Sequence, residues 1–320
     1  MVISGALNKK EGNVLKAQAK NSSLLKRIKK HWQLYLLLLP SLLCIIIFKY
    51  IPMYGVQIAF RNYIPKMGFM GSPWVGLEYF HDFFSSYQFS RLFTNTLLIS
   101  VYSLLAGLPI PVILAIALNE AKSKIFSKTV QMVTYAPYFI STVVLVSVIF
   151  QFLSPYGLLN NLLGVLGIPP VDVMANPALF KSIYVWSGVW QGAGYYAVIY
   201  LAALAGINSE LYEAAWIDGA STLKKIIHID IPGIIPTIII ILILNTASIL
   251  NVDYQKILLM QNQLNMEVSD VISTYVYRQG LISVQYSYSA AIGLFNSVVS
   301  MILFYTVNFL ARKYSETSLW

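Results

Sequence analysis

Three stretches of this 320-residue chain carry polar side chains in patterns that could do chemistry. In the first, LYEAAWIDGASTLKKIIHIDIPGIIP, from Leu211 to Pro236, Glu213, Asp218, Lys224 and Lys225 interrupt two very apolar neighbours. The second sets Trp186, Trp190, Gln191, Tyr195, Tyr196 and Tyr200 among Gly188, Gly192 and Gly194. Aromatic faces beside an amide and hydroxyls suit a sugar, which presents apolar C–H faces and a rim of hydroxyls. The same residues also suit interfacial anchoring or helix packing around glycine. In the third, Asn245, Ser248 and Asn251 recur every three residues beside Thr246. That spacing stacks them on one helix face, where they would line a wet pathway or bond a neighbouring helix.

Other chemistries lack their residues. No G-x-x-x-x-G-K-[ST] loop occurs to cradle nucleotide phosphates. His31, His81 and His228 are scattered without metal-ligand spacing, and Cys44 is the only cysteine, so disulfides and cysteine–metal clusters lose support. Leu43 before Cys44 is too bulky for a lipoprotein processing site. The apolar runs hold no carboxylate in their cores, which counts against a proton relay and against a membrane-embedded glycan-processing enzyme built on paired carboxylates.

The elements that must position these residues are membrane helices. The chain is 57% hydrophobic and 11% charged, far from the roughly one-quarter charged residues of a soluble domain. Six runs are nearly free of charge: Leu34 to Phe48, Phe93 to Leu118, Val130 to Leu153, Ile183 to Ile207, Pro236 to Val252 and Ser289 to Leu310. Most approach the roughly 20 residues that span hydrocarbon. They lack the alternation of barrel strands, so an all-α membrane protein with six transmembrane helices is expected. With the N-terminus inside, 15 of the 22 lysines and arginines fall on the cytoplasmic side, which places both termini there. The net charge of +9 then reads as topology and attraction to anionic lipid. Nucleic acid is not implied, because no basic patch is interleaved with stacking aromatics in a soluble domain.

The expected organisation is a flexible basic cytoplasmic tail over 1–31, a transmembrane domain over 32–313 and a short cytoplasmic tail over 314–320. Ile51 to Arg91, Ser154 to Ser182 and Asp253 to Tyr288 lie outside, the first rich in aromatics as an interfacial ledge would be. Pro109 and Pro111 in GLPIP and Pro137 in YAPYF predict kinked helices. No internal repeat is evident, which weakens a carrier built from inverted repeats.

The Leu211 to Pro236 stretch falls on the cytoplasmic side, between the fourth and fifth runs. Asn208 or Ser209 would cap a helix whose first turns carry Glu210 and Glu213. Leu211, Ala214, Ala215 and Asp218 share one face, with small alanines that admit another surface closely. Gly219 permits a sharp turn, Ser221 starts a second short helix, and Pro232 and Pro236 set the entry into the fifth run. The connection, about 208–235, is far longer than the 2 to 8 residues or so that join antiparallel helices. It reads as a docking knob, although a connection that merely seals the bundle would share these features.

EAAWIDGASTLKKIIHIDIP resembles the EAA loop of binding-protein-dependent ABC importer permeases. Glu213, Ala214, Ala215, Asp218, Gly219, Ala220, Ile229 and Pro232 match that pattern, while Ile226 replaces a frequent phenylalanine and Ile231 a leucine. WQLYLLLLPSLL, FKYIPMYGVQIAF, GSPWVGLEYF, IYLAALAGI, DVISTYVYRQG and AAIGLFNSVVS extend the resemblance to the LplB-like permeases of the carbohydrate-uptake branch, over about residues 32 to 313. The resemblance implies a type I importer permease that is not itself an enzyme, with the EAA loop as the coupling helix docked on an ATPase. It also implies a second, homologous permease, two cytoplasmic ATPase subunits that bind ATP and Mg, and an external sugar-binding lipoprotein. The cargo implied is an oligosaccharide or polysaccharide fragment, carried across a bacterial cytoplasmic membrane. A stand-alone carrier or channel is the alternative, and it leaves the polar insert unexplained.

Overall fold

The computed structural model describes residues 29–315 and Ser318. Of the expected basic tail 1–31, all but Lys29, Lys30 and His31 lies outside the described residues; so does the C-terminal tail 314–320 except Tyr314, Ser315 and Ser318. The only β feature among the described residues is a bridge between Arg61 and Trp74.

The chain divides into two compact units, the first ending at Gln57 and the second beginning at Ile58. In the first unit, α1 (Trp32–Ile45) contains Pro40, buries none of its residues and runs on through a π turn at Ile46–Tyr50.

In the second unit, α2 (Glu78–Ser85) leads into α3 (Tyr87–Gly107) and α4 (Pro109–Asn119). GLPIP interrupts this pair as expected. The helix stops at Gly107, Leu108 turns, and Pro109 opens α4 at a position where its missing N–H leaves no bond unmade. Pro137 does more than kink its run. Here α5 (Lys124–Tyr135) gives way to a 3-10 turn at Ala136–Phe139, and Ile140 is extended. A new helix, α6 (Thr142–Leu153), then starts with Ser141 Oγ accepting the Val144 N–H at 3.4 Å. Val130 to Leu153, expected as one kinked span, is therefore two helices, because the proline removes a donor where the chain already turns.

The longest helix of the centre, α7 (Pro177–Ala205, 29 residues), is capped by Asn176 Oδ1, which accepts the Ala178 N–H at 3.0 Å. It packs against α3, α4 and α5. Next come α8 (Ser209–Ile217), α9 (Thr222–Lys225), a π turn at Ile226–Asp230 and α10 (Ile231–Ala247), which also packs on α7. From α9 to α10 the chain is helical without a break, one stretch of 26 residues over Thr222–Ala247. Pro232 therefore does not open a separate span. It sits just after the π turn, where the usual i to i−4 ladder is already displaced and a missing N–H is tolerated. The chain closes with α11 (Tyr254–Met260), α12 (Ile272–Tyr277) and α13 (Tyr286–Ser315). The last of these packs on α2, α10 and α12.

Five helical stretches are long and apolar enough to cross a membrane: Trp32–Phe60, Tyr87–Asn119, Thr142–Val165, Thr222–Ala247 and Tyr286–Lys313. The expected run Ile183 to Ile207 lies within α7 up to Ala205, and α7 has the length but is diluted by Gln191, its tyrosines and its glycines. In lipid, helices associate through close packing and interhelical hydrogen bonds rather than water exclusion. Gly194 fits that rule, since a Cβ there would overlap the backbone carbonyl of Thr134 on α5. Ile99, Tyr184, Val185, Val189, Ile257 and Met260 form part of one buried cluster, and Ala115, Ala197, Tyr200, Ile234 and Ile241 part of another.

The expected outer segment is tied to α3 by polar contacts. Asp270 is 1% exposed, pairs with Arg278 and accepts the Thr274 hydroxyl at 2.7 Å, while Asn95 Nδ2 donates to the Asp270 carbonyl at 3.1 Å. The four-residue spacing of Asp, Thr and Arg in DVISTYVYR thus lets Asp270, extended just ahead of α12, accept from Thr274 and pair with Arg278.

Candidate functional site

The expected knob is present as an exposed helix with a defined end. Asn208 Oδ1 caps α8 by accepting the Glu210 N–H at 3.1 Å. At the other end the Ala220 N–H donates to Ala215 O at 2.9 Å and the Gly219 N–H to Trp216 O at 3.1 Å. This pair of bonds is the Schellman closure, and it requires the left-handed backbone that Gly219 adopts at φ +66°. A Cβ on Gly219 would meet nothing within 4 Å, so the glycine is demanded by the backbone and not by crowding. Glu213, Ala214, Asp218 and Gly219 are exposed, and Ala215 and Ala220 are half-buried. Trp216 and Ile217, 83% and 78% exposed, add an apolar tip.

Four side chains brace the knob. Lys225 Nζ lies 2.8 Å from Glu120 Oε1, just beyond α4, and 5.7 Å from the centre of the Tyr212 ring. Tyr212 on α8 donates its hydroxyl to Asp230 Oδ1 at 2.6 Å. Asp230 is fully buried, and its Oδ2 has no partner among the described residues. Burial, followed by donation to the Asp230 carboxylate, raises the Tyr212 hydroxyl above its ordinary range. Sequence reasoning missed this brace, though the lone carboxylate in IIHIDIP was a signal.

The second feature is a cavity of about 340 Å³ between α3, α4, α7 and the turn from α10 to α11, a size suited to a small ligand. Gln191, Asn245, Ser248 and Asn251 line it, as do Tyr184 and Tyr196. Because α10 ends at Ala247, the three polar residues after Leu244 do not share one helix face. A turn gathers them instead, with the Ser248 N–H on Asn245 O at 3.3 Å and the Asn251 N–H on Ser248 O at 2.9 Å. Asn251 Oδ1 also accepts Asn296 Nδ2 from α13 at 3.1 Å. Gln191 has a second task, donating Nε2 at 2.9 Å to the Ile140 carbonyl freed by the break between α5 and α6.

Trp186, Trp190 and Tyr195 are placed elsewhere. Trp186 and Trp190 are half exposed, and Trp186 Nε1 donates to the Tyr102 hydroxyl at 2.9 Å. Tyr195 stacks on Tyr138 with ring centroids 4.1 Å apart. Two lining residues were not anticipated. Ser100, 5% exposed, has a hydroxyl with no partner among the described residues. Lys256, also 5% exposed, is the one cation among the described residues of a wall whose other charged residue is Asp253. A serine in an apolar run and a lysine in a loop gave no periodic signal.

Residues 107–316 match the family model described as the binding-protein-dependent transport system inner membrane component. The chain is 41% identical over 313 residues to Protein LplB of Bacillus subtilis (strain 168), covering 98% of each. It is 37% identical over 308 residues to the polygalacturonan/rhamnogalacturonan transport system permease protein YteP of the same strain, covering 96% of each. It also resembles a solved bacterial alginate ABC transporter in complex with an alginate pentasaccharide-bound periplasmic protein. There the TM-score is 0.84 at 40% identity, covering 92% of this chain and 99% of that one.

Proposed function

This chain belongs to the family of binding-protein-dependent transport system inner membrane components, and from that premise we propose that it is the permease subunit of an ATP-driven importer of oligosaccharides or polysaccharide fragments. The observation that carries the reading is mechanical continuity. The helical stretch that follows the knob, Thr222–Ala247, runs from its base to a cavity wall, with Asn245 near its far end. A displacement of α8 is passed by the Tyr212–Asp230 bond into that stretch, and by the Lys225–Glu120 pair to the end of α4, which also lines the cavity through Pro111.

The knob residues Glu213, Ala214, Ala215, Asp218, Gly219 and Ala220, with Pro232 at the base, form the coupling element for one of two cytoplasmic ATPases. Those partner subunits hold ATP and Mg. A second, homologous permease supplies the other half of the pathway, and an external binding protein delivers the saccharide to the outer mouth. The polygalacturonan/rhamnogalacturonan permease and the alginate importer support the saccharide class. ATP binding closes the ATPases, pulls α8 and rocks the lined helices from outward to inward. The switch is effective to the extent that the ATPases contact the two states differently. The alternating path runs past Gln191, Asn245, Ser248 and Asn251, with Trp186, Trp190 and Tyr195 on the flank of α7. The sixth span is α7, which tolerates polar residues because it is enclosed by other helices. Both termini lie in the cytoplasm.

The reading is tested in vesicles holding the assembled transporter. Gly219→Val forces a branched side chain into left-handed backbone, at about 1–2 kcal/mol, and unlocks the Schellman end of α8. Binding-protein-stimulated ATP hydrolysis is expected to separate from uptake, which falls at least about tenfold, while the variant folds. Unchanged uptake would sink the coupling role. A stand-alone carrier would instead purify without an ATPase or a second permease.

A further inference from the structure

We propose that the cavity between α3, α7 and the turn from α10 to α11 is a carboxylate subsite, in which Lys256 holds the acid group of an anionic saccharide and Ser100 binds a neighbouring hydroxyl. The proposal rests on the importer reading above and narrows its cargo to sugar acids.

Lys256 is an expensive residue to bury. An ammonium removed from water is tolerated when paired or engaged by dipoles, and otherwise sheds its proton. Among the described residues Lys256 forms no ion pair. Its Nζ donates to the Tyr184 carbonyl at 2.9 Å and sits 4.6 Å from the centre of the Tyr184 ring. That leaves two N–H groups without an acceptor among the described residues. Tyr184 and Gly188, the residues against the ammonium, line the cavity themselves, and a Cβ at Gly188 would come within 3.4 Å of Nζ. The glycine thus keeps open the side of α7 on which the charge lies. Asp253, the other charged lining residue, caps α11 through Oδ1, which accepts the Gln255 and Lys256 N–H groups at 3.0 and 3.2 Å; its charge acts on Lys256 through space without an ion pair. The cavity therefore offers a cation with unused donors and no ion-paired carboxylate among the described residues.

Ser100 is an independent observation. Its hydroxyl is buried on α3, lines the same cavity and has no partner among the described residues. An unmade hydrogen bond of that kind is rare in a native structure, and a ligand hydroxyl would satisfy it. Asn245, Ser248 and the Tyr184 and Tyr196 rings complete a wall with donors, acceptors and apolar faces, the inventory a sugar ring needs. A neutral sugar offers the buried ammonium only weak acceptors, whereas a uronate offers it the direct ion pair that Asp253 does not make.

Two measurements on the assembled complex decide the matter. In detergent without the binding protein, equilibrium dialysis follows labelled trigalacturonate and its methyl ester, which keeps the size and removes the charge. Wild type is expected to prefer the acid by about tenfold or more, as a charge-assisted bond would give. Lys256→Gln should abolish the preference while ester binding stays within about twofold, and Lys256→Arg should keep part of it. Ser100→Ala, which creates no new unmet group, should weaken both probes and leave the preference intact. The proposal is overturned if Lys256→Gln binds the acid as wild type does, if wild type shows no preference, or if Ser100→Ala changes neither affinity. Uptake into vesicles separates this from the importer reading. Import of neutral oligosaccharides alone removes the carboxylate subsite and leaves the importer standing, and a complex that moves no saccharide removes both.

Discussion

At the residue scale, function follows from a few side chains whose local demands are unmet or tightly specified. Gly219 is held at φ +66° by two closing bonds and no crowding, so backbone strain alone decides what it tolerates. Asparagine enters that region far more readily than a branched residue, so Gly219→Asn is expected to restore most of the uptake that Gly219→Val loses. Tyr212→Phe removes the donor to Asp230 Oδ1 and leaves both carboxylate oxygens of a buried residue unmet. An unmet buried acceptor costs about 1–3 kcal/mol, so the detergent-solubilised variant should unfold at lower temperature by scanning fluorimetry. Lys256 lies outside the expected spans, and burial pulls its pKa down to about 8, with Asp253 opposing. The titratable groups around it are Asp253 and Tyr254 beside it, Tyr184 and Tyr196 from α7, with Lys181, Tyr195 and Tyr200 farther along that helix, and Tyr275 and Tyr277 on α12; α6 contributes none. A depressed lysine is charged below its pKa and neutral above it. Affinity for the acid probe should therefore be flat below about pH 7 and decline through pH 8 toward the affinity for the ester, with ester binding unchanged.

At the element scale, broken helices and one unbroken one divide the labour. The breaks at Leu108 and at Ala136–Ser141 place backbone turns beside α7, where Gln191 holds the Ile140 carbonyl. The unbroken stretch, Thr222–Ala247, runs from the base of the knob to the cavity. Close approach of α5 and α7 depends on Gly194, whose hydrogen faces the Thr134 backbone. Backbone cannot retreat as a flexible side chain can, so Gly194→Ala should cost about 1–3 kcal/mol and depress both expression and thermal stability. Gly164→Ala, with open space around it, is the matched control and should change neither. Equal behaviour of the two variants would show that this helix contact is not close in the membrane.

At the scale of the whole molecule, the charge distribution sets topology and the exposed surfaces set assembly. With 15 of 22 basic residues assigned inside, a cysteine replacing Lys224 in a Cys44→Ser background should resist impermeant maleimide in intact cells. A cysteine at Lys66 in the same background should react. Reversed labelling would invert the orientation and remove the knob from the cytoplasm. The apolar tip at Trp216 and Ile217 is what an ATPase cleft would cover. Replacing both by serine should lose co-purification of the ATPase while the second permease is retained.

Much of this was legible in the sequence because membrane helices and turns are written locally. Hydrocarbon thickness fixes the length of an apolar run, and Asn208, Gly219 and Ser221 carry the caps and turn of the knob within residues 208–221. The polar insert is thus legible from its residues alone as a helix ending at Gly219. Contacts between residues far apart in the chain have no such local signature. That Tyr212 meets Asp230, that Lys225 meets Glu120, and that Ser100, Gln191, Asn245 and Lys256 surround one cavity follow only from how the helices pack. For the same reason Trp186, Trp190 and Tyr195 looked equivalent to Gln191 in a linear reading. Helix rotation, set by Gly194 against Thr134, decides which face of α7 meets the cavity.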